Sequence, residues 1–114
     1  ILKLNSTVSI ADLTLFFGQA PSKVIPDEGT CIFVLSSSEL KLTVAINEVV
    51  PSFMTSLVMK TGEEMRMEFD GLQELALLTD NIGPYLLASL DVQGRVQCRV
   101  RVIPGFSVCW SYLR

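Results

Sequence analysis

The sequence contains no histidine. Imidazole is the side chain that titrates near neutral pH and the commonest nitrogen ligand to metals. Its absence removes Ser-His-Asp and Cys-His catalysis and every histidine-bearing metal site. Cysteine is scarce as well: Cys31, Cys98 and Cys109 are the whole set of three. They fall short of an all-cysteine zinc site, and an odd count without close spacing is no disulfide framework. Free, buried thiols in a reducing compartment are expected, which points to the cytoplasm. Charge is thin at 18% of residues. There is no Gly-rich phosphate loop, and no apolar run approaches the roughly 18 residues of a membrane span. No basic start leads into an apolar core, so no signal peptide is read. A chain beginning at Ile1 is expected to be a trimmed protein or a piece of a longer one.

What is present is apolar surface. Of 114 residues, 49% are hydrophobic, and the mean hydropathy is +0.45. That length suits one domain, residues 1–114, with much surface per unit volume. Some apolar side chains must face outward, and a homodimer or a partner protein is expected to cover them. The net charge of −3 and pI near 4.8 disfavour a phosphate-backbone binder, so no nucleic-acid partner is expected.

Hydrophobic spacing gives the elements. Val8, Ile10, Leu13, Phe16 and Phe17 follow a helical period over residues 6–17, with Ser9 and Asp12 as a capping pair and Gly18 as a stop. Thr7 to Ile10 also alternates, as a strand would. Residues 21–29 are a loop in which Pro26-Asp27-Glu28-Gly29 makes a turn. Residues 31–35 are a short apolar strand. Leu40, Leu42, Val44 and Ile46 alternate with Lys41, Thr43 and Ala45, the mark of a half-buried strand. Residues 53–60 form a third. Residues 63–80 admit two readings. Met65, Met67 and Phe69 alternate, whereas Met65, Phe69, Leu72, Leu75, Ala76 and Thr79 make one helical stripe with a Thr61–Glu64 capping box. The helix is preferred, with Gly71 as its weak point at about 1 kcal/mol relative to alanine. Residues 85–102 are a hairpin turning at Gln93-Gly94. Residues 106–113 are a final strand or a packed tail. The expected fold is α+β: helix, three strands, helix, hairpin, with one antiparallel sheet of about five strands.

No constellation of side chains reads as a catalytic or metal site. Asp27 and Glu28 could be a carboxylate pair, but an open turn has no apolar wall to shift a pKa. Cys31 sits in an apolar run, where a thiol is inert. Arg95, Arg99 and Arg101 share one strand face, which could hold an acidic partner or be a solvated face opposite Asp91. Met54, Met59, Met65 and Met67 crowd one region, as core filling or as an adaptable apolar surface. Glu63, Glu64, Glu68, Asp70 and Glu74 read as a polar face rather than a cation site. Asn5-Ser6-Thr7 matches a glycosylation acceptor, a pattern common by chance.

The element order, with "LTLFFG" closing the first helix, "DEGTCIFVL" opening the first strand and "LQELALLTDNIGPYLL" leading into the hairpin, resembles the small dimeric chaperones of bacterial type III secretion. The resemblance spans roughly residues 8–103. Where that family ends in another amphipathic helix, "PGFSVCWSYLR" has no helical period. The resemblance implies a non-enzymatic, cofactor-free homodimer that holds an extended apolar segment of a secreted effector, a virulence role. On that expectation Leu13, Phe16, Phe17 and Phe33 bind the partner, and Leu72, Leu75, Leu86 and Leu90 form the dimer interface. The rival expectation is a structural or assembly domain cut from a longer protein.

Overall fold

The computed structural model describes residues 8–113. Ser9 starts the first element. Its hydroxyl accepts from the Asp12 backbone N–H at 3.1 Å, and the Asp12 carboxylate accepts from the Ser9 N–H at 3.0 Å. This reciprocal pair satisfies donors that a helix start leaves without partners. Helix α1 runs Ile10–Phe17 and stops at Gly18, which takes φ +74° and donates to the Thr14 carbonyl. The helix is shorter than the sequence suggested, because Ser9 is extended. Residues 6 and 7, and the Asn5-Ser6-Thr7 triplet, lie outside the described residues.

After α1 the chain is almost entirely strand. β1 is Lys23–Ile25, followed by a single 3-10 turn at Pro26–Glu28, then β2 Thr30–Ser36, β3 Leu40–Asn47 and β4 Ser52–Met59. β5 is Glu64–Asp70, β6 Leu72–Thr79, β7 Pro84–Asp91, β8 Arg95–Arg101 and β9 Ser107–Leu113. They form two antiparallel sheets, one of five strands in the order β1 to β5 and one of four in the order β6 to β9. This corrects the expected α+β fold with one sheet and two helices. The segment read as a second helix is β5 and β6, and residues 106–113 contribute an edge strand.

Gly71 is the reason the helix reading fails. Its φ is +88°, a region a helix never visits. Its N–H donates to the Pro51 carbonyl at 2.8 Å, and its own carbonyl accepts from the Asp91 N–H at 2.9 Å. A Cβ at this position would collide with the Asp91 backbone carbonyl. The chain therefore passes from the first sheet to the second through a backbone contact that only glycine permits. Just beyond, the β6–β7 register shifts between Leu72 and Glu74. This bulge turns Leu72 and Leu75 to the same side, and both are 3% exposed.

The two sheets share one core. Phe33, Leu42, Val44 and Phe53 from the first are completely or almost completely buried, as are Leu86, Ala88, Cys98 and Val100 from the second. Burying each large side chain of this kind contributes about 1.5–3 kcal/mol. α1 closes one side of the core, where the Phe17 ring lies 4.5 Å from that of Phe33. Trp110 on β9 closes another, its ring 6.0 Å from Phe53 and 5.3 Å from Phe69. No helix among the described residues is long and apolar enough to cross a membrane.

Candidate functional site

The side chains expected to meet a partner are mostly occupied within the chain. Leu13 and Phe17 are 4% exposed and Phe33 is fully buried. Phe16 is half-buried and packs edge-on against Phe17 at 5.0 Å. Leu72, Leu75, Leu86 and Leu90, expected at a dimer interface, belong to the same intramolecular core. The reason is topological: alternation marks these residues as buried, and the packing of the two sheets and α1 against one another supplies the cover that had been expected from another molecule.

The turn carboxylates Asp27 and Glu28 sit exposed in the 3-10 turn. The Cys31 thiol is buried, and desolvation, followed by the nearby Glu48 charge, pushes its pKa up. Burial likewise pushes up the Cys98 thiol, with a smaller push from Cys109. Both thiols are held protonated and unreactive. Glu63 lies in the β4–β5 turn, Glu64, Glu68 and Asp70 on the outer side of β5, and Glu74 on β6. Among the described residues no three His, Cys, Asp or Glu side chains converge as metal ligands.

The arginine row does exist, and the structure divides it. Arg99 and Arg101 both lie over the Tyr85 ring, at 5.4 and 4.8 Å from its centroid. Arg101 is drawn inward as a clamp. Its guanidinium forms a salt bridge with Asp80 and donates to the Gly83 carbonyl at 3.1 Å. Asp80 also accepts from the backbone N–H groups of Ile82 and Gly83, at 3.0 and 3.2 Å. The Arg101 hydrogen bonds are the main reason the Asp80 carboxyl is pulled down to about 2. The β6–β7 turn is thus fastened to the end of β8. Arg95 stands opposite Asp91 in the register, and it and Arg99 remain exposed. The Asp80–Arg101 pair was not legible beforehand, because 21 residues separate its members. The only local signal was the Asp-Asn-Ile-Gly turn composition.

A cleft of about 760 Å³ lies along β6, β7 and β8 beside the crossover at Gly71. It is lined by Pro51 and Gly71 and by the polar side chains of Glu74, Ser89, Asp91, Arg95 and Gln97. Its charges are of both signs, with Glu74 and Asp91 against Arg95. Large apolar side chains are exposed elsewhere: Met65 by 65%, Met67 by 41%, Ile82 by 61% and Ile103 by 64%.

The described residues thus define a two-sheet antiparallel β protein with a fully packed core, an open cleft and uncovered apolar positions. No family model and no curated protein matches the chain. Among solved structures it is similar to a chain of a contact-dependent growth inhibition toxin–immunity protein complex from Klebsiella pneumoniae 342. The TM-score is 0.88 at 16% identity, over 99% of this chain and 100% of that one. At this identity the likeness is one of fold. It overturns the resemblance to type III secretion chaperones, whose element order the chain shares only when β5 and β6 are read as a helix.

Proposed function

We propose that this chain is a non-enzymatic protein-binding domain of the immunity type, which holds a partner toxin and blocks it. The observation that carries this reading is the end-to-end fold likeness to a chain from a toxin–immunity protein complex. A toxin has to carry a damaging chemistry, whereas an immunity protein needs only a surface. A chain without histidine, with two thiols buried and held protonated, is better suited to the second role. An acidic, apolar composition fits a protein surface rather than a nucleic acid.

A cell that makes such a toxin without its blocker cannot survive, so the two must be inherited together. The test is to express the polypeptide encoded beside this chain, alone and together with it. Growth arrest by the neighbour alone and growth on co-expression are expected. Arrest caused by this chain alone, or arrest that persists on co-expression, overturns the reading.

A further inference from the structure

Resting on the protein-binding role proposed above, we infer that the free edge of β5 is the docking surface, and that its occupant is an extended, basic segment of the partner added as a further strand. Four observations converge on it.

The first is the edge itself. β5 ends the first sheet and pairs only with β4. Proteins blunt an edge with proline, lysine, bulges or inward-pointing charges. Glu64–Asp70 contains no proline or lysine, its register against β4 is unbroken, and its four charges all lie on the outer face. Of the other edges, β1 has three residues and runs into Pro26, and β6 carries a bulge. β9 is as regular as β5, but it carries no charge that would select an occupant, and on its core side Trp110 is spent against Phe53 and Phe69.

The second is the inner face of β5. Met65 pairs with Leu57, Met67 with Thr55 and Phe69 with Phe53, so all three point to the core side of the sheet. Only Phe69 is covered there, by Trp110. Met65 and Met67 are 65% and 41% exposed, and the adjacent Met59 on the same face is 37% exposed. Unbranched methionines on an open surface adapt to varied apolar partners.

The third is charge. The outer face of β5 carries Glu64, Glu68 and Asp70 against a single Arg66, which is already bound to Glu68 at 3.2 Å. A second copy of this chain paired antiparallel about Met67 would set Arg66 against Glu68 but also Glu64 against Asp70, and each face carries more acid than base, so the two faces repel on balance. A segment with Lys or Arg facing outward is complementary.

The fourth is periodicity. β5 alternates charged residues (Glu64, Arg66, Glu68, Asp70) with apolar ones (Met65, Met67, Phe69), so an occupant that alternates polar and apolar residues, with basic ones opposite the carboxylates, is complementary. Main-chain hydrogen bonds would hold it, and the alternation would set its register.

The probe is a synthetic peptide of β5 length that alternates lysine with valine, with a control in which glutamate replaces lysine. Each is titrated into the isotope-labelled protein while backbone amides are followed by NMR. The lysine peptide is expected to shift residues 64–70 and slow their hydrogen exchange, and the glutamate peptide to do neither. Glu68→Lys with Asp70→Lys should weaken the lysine peptide at least about tenfold, with unchanged β2 and β3 resonances showing an intact fold. Met67→Thr should weaken both the peptide and the growth protection described above. Equal binding of both peptides, no binding, or shifts confined to β9 or to the outer face of the second sheet would overturn the inference. Full growth protection by the Glu68→Lys/Asp70→Lys protein would sink this edge and leave the immunity reading standing. Failure of the unsubstituted chain to protect would sink that reading instead, and the titration would still decide the edge.

Discussion

The indole N–H of Trp110 donates to the buried hydroxyl of Thr55 at 2.9 Å, joining the two sheets across 55 residues of sequence. Thr55 is 2% exposed and has no water to turn to. The bond therefore satisfies a polar atom that would otherwise be stranded in the core.

Trp110→Phe keeps an aromatic ring but removes the donor, and should destabilise the protein by about 1–3 kcal/mol in urea unfolding followed by circular dichroism. Thr55→Val in the Trp110→Phe background should restore part of that loss. A cycle in which the two substitutions simply add would show that the hydrogen bond contributes nothing.

Gly71→Ala should be far worse than Gly18→Ala. Both glycines have positive φ, but the space around Gly18 is open, whereas a Cβ at Gly71 meets the Asp91 backbone. Gly18→Ala should cost about 1 kcal/mol, and Gly71→Ala several times more or the fold itself. Similar unfolding midpoints for the two variants would contradict the crossover described for Gly71.

Acid should loosen the turn clamp. Asp80 is lowered from 3.8 to about 2, chiefly by hydrogen bonds from Arg101. A carboxyl with a depressed folded-state pKa binds fewer protons folded than unfolded, so its contribution is present above 3.8 and is lost as the pH falls towards about 2. Asp80→Asn keeps an acceptor for the Ile82 and Gly83 amides but loses the ion pair. Its urea midpoint should therefore fall less steeply across that window than that of the parent protein.

The three thiols should separate by reactivity. Cys109 is exposed, and Cys31 and Cys98 are buried. A small thiol reagent under native conditions should label Cys109 alone, with the other two reacting at the rate of unfolding. Rapid native labelling of Cys98, read by peptide mass spectrometry, would contradict its place in the core.

Much of the chain was legible because burial on one face writes a period into the sequence. α1 with its Ser9–Asp12 cap, the strands β2, β3 and β4, and the β7–β8 hairpin all appear where the spacing predicts them. Residues 63–80 misled for a specific reason. In β6 the bulge at Gln73 places Leu72 and Leu75 on one face, and a spacing of three imitates a helical stripe. The Thr61–Glu64 capping pattern belongs to a hairpin turn in which the Met59 N–H donates to the Glu63 carbonyl. The alternation of Met65, Met67 and Phe69 was the true signal, muted because β5 is an exposed edge.

The sequence by itself determined which face of most strands is apolar, since apolar periodicity is a local property of each strand. It also determined the absence of imidazole chemistry, since that is a count. Only the tertiary structure decided what buries those faces. The two sheets, joined through Gly71, cover each other, and with α1 they bury the leucines and phenylalanines that had seemed to await a partner. The tertiary structure also paired Asp80 with Arg101 and left β5 uncovered. Contacts between residues distant in sequence depend on how the two sheets stack, and no local spacing records that.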